Sequence, residues 1–258
     1  MSGTGVVERS REDHYLGLAG ARIVATDALV ATHDNLADVI AAKAMMCVHG
    51  DAGLGKTLSV NASLRTRLVP EAICWVQFRA RPTPRDIRHV LFDALGIGGA
   101  RPVKPIEFDA VLKEVLAERF RVLVCDEAQW MSRECFEFWR HLWDDGGTDI
   151  AIVFVGGGDC YQVLRREPML SSRVYVWQEF RRLTREQVAV VIPAYHPIWA
   201  QADPADIAFA DTHAAHGNFR AWAKITSHAV TALTRLDRSR VDREVIQWVF
   251  SKFGGRSG

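Results

Sequence analysis

At 258 residues, 48% hydrophobic and 24% charged, the chain can bury a sizeable core without disulfide or metal staples. A formal net charge of +1 excludes a global field drawing it to nucleic acid or a membrane, so any polyanion must be met by a local patch. No run approaches the roughly 18–20 apolar residues that span a bilayer, and the opening MSGTGVVERSREDHYL lacks an apolar signal-peptide segment, so a cytoplasmic protein with no membrane partner is expected.

In chain order, residues 1–20 are polar and read as a flexible lead-in. DNLADVIAAKA at 34–44 predicts a helix, with Asp34 or Asn35 as its cap. Apolar runs of strand length follow at 45–49 (MMCVH), 73–78 (ICWVQF), 121–125 (RVLVC), 150–155 (IAIVFV) and 174–177 (VYVW). They are near-continuous rather than alternating, as strands covered on both faces read. Helical patterns separate them at 56–67, 84–95, 106–119 and 132–143, so the alternation predicts an α/β protein with a parallel sheet.

Beyond residue 178 the strand signal ends. LTREQVAVVI carries a capping-box pattern, Thr184 with Gln187, and PADIAFADTHAAH, FRAWAKITSHAVTALTRL and DREVIQWVFSKF read as further helices. The predicted organisation is an α/β domain over 21–180, a helical appendage over 181–253 and a frayed tail over 254–258. The five cysteines form no CxxC pair; Cys47, Cys74 and Cys125 sit inside strand runs, and all five are expected as reduced thiols. His213 and His216 lack a second ligand pair and read as surface histidines.

The first chemical signal is Gly50-Asp51-Ala52-Gly53-Leu54-Gly55-Lys56-Thr57, which fits G-x-x-x-x-G-K-[ST] after a strand and before a helix. Glycines let the backbone aim N–H groups at phosphates, and the helix N-terminus adds its dipole. Lys56 is expected at the β- and γ-phosphates and the Thr57 hydroxyl on Mg²⁺, with nucleotide contacts running on to Leu58. The second signal is RVLVCDEA, an apolar strand ending in two acids. Asp126 suits the Mg²⁺ shell, partly through water, and Glu127 suits a general base for the attacking water. A GTP switch carries Asp-x-x-Gly at this strand end and an Asn-Lys-x-Asp base reader; the strand here ends Asp-Glu-Ala-Gln and no Asn-Lys-x-Asp occurs, so ATP is the expected nucleotide.

Phosphate loop, DEAQ strand end, a fourth strand, LSSRV and then GNFR, in that order, resemble an AAA+ ATPase over roughly residues 20–250. The resemblance implies a five-stranded sheet of order 5-1-4-3-2 with a helical lid. It also implies that Arg173 is an arginine finger acting on a neighbouring subunit, with Arg165 and Arg166 as rivals, and that Arg220 is the sensor-2 arginine, after a helix start at Gly217 and Asn218. Where such proteins place an Asn or Thr as sensor 1, this chain has IVFVGGGDC, glycines and then Asp159.

The order and spacing of VHGDAGLGKT, VQFRARPTPRDIRHVLFDALGI, RVLVCDEAQWM, IVFVGGGDCYQVLRREPMLSSRV and GNFRAW resemble more narrowly the TniB/TnsC/MuB-type transposition ATPases and the AAA_22 and ExeA-like groups. This implies a homo-oligomer, ring or helical filament, formed with ATP on double-stranded DNA, a transposase or other recombination protein as partner, and disassembly on hydrolysis. Segment 79–121 holds nine Lys and Arg against six acids; Arg79, Arg81, Arg85, Arg88 and Lys104 are the candidate phosphate contacts. Two alternatives stay open: a signalling or initiator-type protein that recruits a protein partner without DNA, and a scaffold of very slow turnover. The aromatic cluster Trp130, Phe136, Phe138, Trp139 and Trp143 is expected to pack the core or a subunit contact.

Overall fold

The structure, a computed structural model, describes residues 15–78 and 81–253. It divides into two units: Asp27–Ala52 with Ser59–Arg181, and the described residues up to Thr26 with Gly53–Leu58 and those from Arg182 onward. The division passes through the glycine-rich loop and the helix after it.

In the first unit, the strands are β1 (Met45–His49), β2 (Ile73–Val76), β3 (Arg121–Cys125), β4 (Ile150–Val155) and β5 (Val174–Glu179). They form one sheet of order β2-β3-β4-β1-β5, the predicted order read from the other edge, with every pairing parallel. Helices α1 (Asp27–Ala41), α3 (Pro84–Ala94), α4 (Pro105–Ala117), α5 (Arg133–Trp143), α6 (Cys160–Arg165) and α7 (Pro168–Ser171) complete the unit, with α2 (Lys56–Arg65) running on from the loop. The three inner strands β1, β3 and β4 are almost wholly buried, which is why they read as unbroken apolar runs. Their side chains pack with Leu91, Leu112, Phe136, Phe138 and Trp139 into one core, so three members of the aromatic cluster are core residues. Trp143 donates its indole N–H to the Lys43 carbonyl at 2.8 Å, and Trp130 remains 52% exposed.

The boundaries that tertiary contacts set differ most from expectation. Helix α1 begins at Asp27, so Asp34 and Asn35 lie inside it, not at its cap. Its early start is fixed by tertiary contacts: Gln178 of β5 donates to the Ala28 carbonyl and the Thr32 hydroxyl, both at 2.9 Å, and accepts from Asn35 at 3.1 Å. The same buried glutamine carries β5 to Glu179, two residues past the apolar run. Strand β2 stops at Val76 because its pairing with β3 ends there, at Cys125.

The second unit is helical: α8 (Arg185–Tyr195), α9 (Pro204–Ala210), α10 (Phe219–Arg235) and α11 (Arg243–Phe250). Its separate core centres on Trp199 and Trp222, edge to face at 5.2 Å, with the Trp199 indole N–H bound to the Thr226 hydroxyl at 2.9 Å. The Thr184–Gln187 capping box starts α8 as the sequence pattern predicts. The segment 204–216, expected as one helix, is α9 followed by a wider π turn at Asp211–Ala215. Asp211 organises that turn, its carboxylate accepting from the Gly217 N–H at 2.7 Å and the Trp222 indole at 3.1 Å. Asn218 then caps α10, accepting from the Ala221 N–H.

Candidate nucleotide site

Parallel pairing brings the carboxyl ends of β1, β4 and β3 side by side, the edge where open α/β sheets hold ligands. Gly50-Asp51-Ala52 leave β1, Asp126-Glu127 leave β3, and Gly156-Gly157-Gly158 leave β4. The Gly156 N–H bonds the Val48 carbonyl at 3.0 Å, tying β4 to the strand that feeds the loop. Gly50 has φ 137° and backs onto the Phe180 carbonyl, where a Cβ would collide.

The rest of the loop lies in the helical unit. Gly53 and Gly55 have φ 82° and 92°, left-handed conformations that glycine adopts without cost. The Gly53 carbonyl accepts from the Arg220 N–H at 3.0 Å, and a Cβ at Gly53 would lie 2.6 Å from Asn218 Oδ1 and 2.7 Å from Arg220 Cβ. The glycine therefore lets the cap of α10 pack directly on the loop. Lys56, at the first turn of α2, is only 8% exposed, and Thr57 follows it in that turn. Leu54 is buried and Leu58 half-buried.

At the end of β3 the chain turns sharply. Glu127 has φ 55° and ψ 38°, left-handed for a residue with a side chain, which costs about 1–2 kcal/mol. Its N–H is held by Asp126 Oδ1 at 2.9 Å, and the Asp126 N–H by the Val76 carbonyl at 3.2 Å. Backbone strain of this kind concentrates at functional positions. The Glu127 carboxylate is exposed and accepts a hydrogen bond from Gln129 Nε2. Gln129 stands in the DEAQ motif, yet spacing alone gave it no role.

Residues 40–164 match the AAA_22 family, described as an AAA domain. Cdc6p from Pyrobaculum aerophilum is similar in structure, with TM-score 0.74 and 16% identity over 89% of this chain and 68% of that one. The fold is that of the P-loop AAA+ proteins. A second protein of similar fold is the Aeropyrum pernix ORC1 protein, in complex with DNA, at TM-score 0.66 and 18% identity, covering 87% of this chain and 65% of that one. A third is Drosophila ORC bound to DNA, at 0.70 and 16%, covering 100% and 70%. The chain thus spans about two thirds of the length of these proteins. No curated protein matches it in sequence.

Within the AAA+ fold the remaining candidates fall as follows. Arg173, just before β5, is held in its own chain: Nε lies 2.6 Å from Asp144 Oδ1 and Nη1 2.5 Å from the Met169 carbonyl. Its rival Arg165 stacks on Tyr161 and Trp177, and Arg166 caps the end of α6. Arg220 is exposed on the first turn of α10. Of the basic residues, Arg79 lies outside the described residues. Arg81 and Arg85 are exposed around the start of α3, whose Thr83–Asp86 capping box fixes the turn. Hydrogen bonds from the Thr83 side chain and N–H hold the Asp86 carboxyl below its ordinary value. Lys104 is exposed and pairs with Glu107 at 3.1 Å. Arg88 is different: Asp109 grips it in a fork at 2.6 and 2.9 Å, and its guanidinium lies 4.9 Å from the Phe138 ring centroid, so it ties α3 to α4 and α5.

All five cysteines are buried and unbridged. Burial pushes Cys74 up to about 12 and raises Cys125, and the Cys160 contact followed by burial raises Cys47, so these three are inert protonated thiols. His213 and His216 are exposed, and among the described residues no cluster of three or more His, Cys, Asp or Glu is placed to hold a metal.

Proposed function

We propose that this protein binds and hydrolyses ATP with Mg²⁺, and that it does so as a homo-oligomer on double-stranded DNA that presents the DNA to a transposase or related recombination protein. One observation carries the nucleotide half. A G-x-x-x-x-G-K-T loop with three left-handed glycines leads into a helix N-terminus, while an acid pair leaves a strand of the sheet that feeds it. Such a loop turns successive N–H groups toward a phosphate, and Lys56 adds the compact charge that suits its β- and γ-oxygens.

The donor set also fits magnesium. Thr57 and Asp126 offer hard oxygens, and Mg²⁺ takes one or two such ligands from protein and the rest from phosphate and water. When bound, the ion would neutralise charge on the β- and γ-phosphates. The chain's own contribution is orientation and proton handling. Glu127 polarises and deprotonates the attacking water, Arg220 meets the nucleotide beside Gly53 from the α10 cap, and Arg173 is supplied to a neighbouring subunit's phosphates, which makes turnover depend on assembly.

For the DNA half, Arg81, Arg85 and Lys104 are exposed cations that contact phosphate without reading bases. An oligomer multiplies such weak contacts, so a net charge of +1 per chain suffices. The similar Aeropyrum ORC1 and Drosophila ORC structures are complexes with DNA, which supports this half by analogy of fold. The likeness to Cdc6 and ORC proteins favours one second reading, an initiator-type role. The deciding experiment is ATP turnover with and without duplex DNA, beside electron microscopy of the same samples. DNA-stimulated turnover with DNA-dependent rings or filaments is the expected result. Oligomers without DNA stimulation would support the protein-recruiting alternative, and slow turnover under every condition the scaffold.

A further inference from the structure

The acid pair and the glycine triplet are joined by one side chain. Gln129 follows β3 in the 3-10 turn Ala128–Trp130. Its Oε1 accepts the Gly157 N–H at 2.8 Å, and its Nε2 donates to Glu127 Oε2. The amide can sit only one way round. A backbone N–H only donates and an ionised carboxylate only accepts, so Oε1 must face Gly157 and Nε2 must face Glu127.

The glycines make room for this bridge. A Cβ at Gly156 would lie 2.5 Å from Gln129 Oε1 and overlap Cys160 Sγ, and one at Gly157 would touch Gln129 Nε2 at 3.4 Å. Gly158 in turn packs near Asp51, 3.3 Å from Oδ1 to its would-be Cβ. One amide therefore spans from the carboxylate at the end of β3 to the turn leaving β4, and that turn abuts the first residues of the phosphate loop. Glu127 is exposed and has a left-handed backbone, and its carboxylate is met by the Gln129 amide.

We propose that Gln129 is the positioning residue of the hydrolytic site: it orients the Glu127 carboxylate and couples it to the Gly156–Gly157 turn. The inference rests on the proposed ATP hydrolysis. The polar partners of the Gln129 amide are the Glu127 carboxylate and the Gly157 N–H. Gln129 acts through Glu127, and a misplaced general base loses rate without loss of substrate binding.

The test measures steady-state turnover, ATP affinity and thermal midpoint for the full chain and its variants. Gln129→Ala is expected to lower kcat between about tenfold and a hundredfold while leaving ATP affinity and the midpoint unchanged. Gln129→Glu keeps the shape and the acceptor for Gly157 but sets a second carboxylate against Glu127, so it should lose as much rate as the alanine. Adding Gln129→Ala to Glu127→Gln should change the residual rate less than about twofold, because both act on one group. The Gln129 role is overturned, with hydrolysis left standing, in either of two cases. In the first, Glu127→Gln is dead while both Gln129 variants turn over at the wild-type rate. In the second, their losses track ATP affinity or stability. If the wild-type chain shows no hydrolysis that depends on Glu127, the ATPase reading falls and the Gln129 role falls with it.

Discussion

Arg173 and Asp144 form an ion pair within one chain, Nε to Oδ1 at 2.6 Å, with both side chains about three quarters buried. Burial alone would raise the Asp144 carboxyl, but hydrogen bonds from Arg173 and Arg140 outweigh it and hold the group below 3.8. A depressed carboxyl stabilises the fold fully above its unfolded value and loses that contribution as pH falls through the folded one. The pair is therefore intact at neutral pH, and its contribution is lost only as pH falls through and below the ordinary carboxylate range. At neutral pH Arg173→Ala should cost about 1 kcal/mol, the upper range for a pair that water still reaches. Thermal melts of both proteins should show that difference shrinking as pH is taken down through the carboxylate range. A gap constant with pH would mean the arginine stabilises by packing alone.

The same substitution has a second expected outcome, separable from the first. If Arg173 completes a neighbour's site, Arg173→Ala lowers kcat by about 10³-fold or more while ATP still binds. Wild-type specific activity should rise with protein concentration as subunits meet, and the variant's should stay flat. The Asp144 pair must open for Arg173 to reach across, so Asp144→Asn should lower the concentration at half-maximal activity. A rise in that concentration would make Asp144 a support for the finger and not a competitor for it.

Lys56→Ala and Glu127→Gln should divide binding from chemistry. The first removes the buried cation of the phosphate loop and is expected to abolish ATP binding and assembly. The second keeps the shape and hydrogen-bonding reach of the side chain but removes the base, so ATP should bind with wild-type affinity while turnover falls by about 10²–10⁴-fold. Fluorescent-nucleotide titration beside phosphate release reads both. Wild-type turnover in Glu127→Gln would remove Glu127 from the mechanism.

Where burial is complete on both faces, the sequence was easy to read. β1, β3 and β4 are continuous apolar runs because helices cover both sides, whereas the sheet order came from the family resemblance that the phosphate loop and the acid pair carry, not from the strand patterns themselves. Elements set by single long-range polar contacts were not legible. The start of α1 and the end of β5 both depend on Gln178, a buried amide whose partners lie about 140 to 150 residues away in sequence. Gln129 was hidden for the same reason, since its meaning appears only when β3 and β4 are paired. Asp144 as the partner of Arg173 likewise had no local signal.

Gly53→Ala tests the contact between the phosphate loop and the α10 cap. The added methyl meets Asn218 Oδ1 and Arg220 Cβ within 2.7 Å, at a φ of 82° that alanine resists. The left-handed backbone alone costs about 1–2 kcal/mol, and the collision adds to it. The thermal midpoint is expected to fall and ATP affinity to drop with it. Gly99→Ala, at φ 91° with open space around it, serves as the control for backbone strain without collision. Equal losses in the two would show that the close approach of Asn218 and Arg220 carries no weight.

The basic residues make a graded prediction about DNA. Arg85→Glu with Lys104→Glu reverses two exposed charges that have no part in the core, so nucleotide affinity and stability should hold. DNA affinity should fall, and the dependence of log K on log salt should become shallower by about 0.9 for each phosphate no longer neutralised. Arg88→Ala should behave in the opposite way. Its guanidinium is gripped by Asp109 and faces Phe138, so the change leaves a half-buried carboxylate without its partner and lowers the thermal midpoint, while the salt slope for DNA stays near wild type. Unchanged DNA affinity in the double reversal would sink the phosphate-binding role of Arg85 and Lys104. A changed salt slope in Arg88→Ala would return that residue to the DNA face.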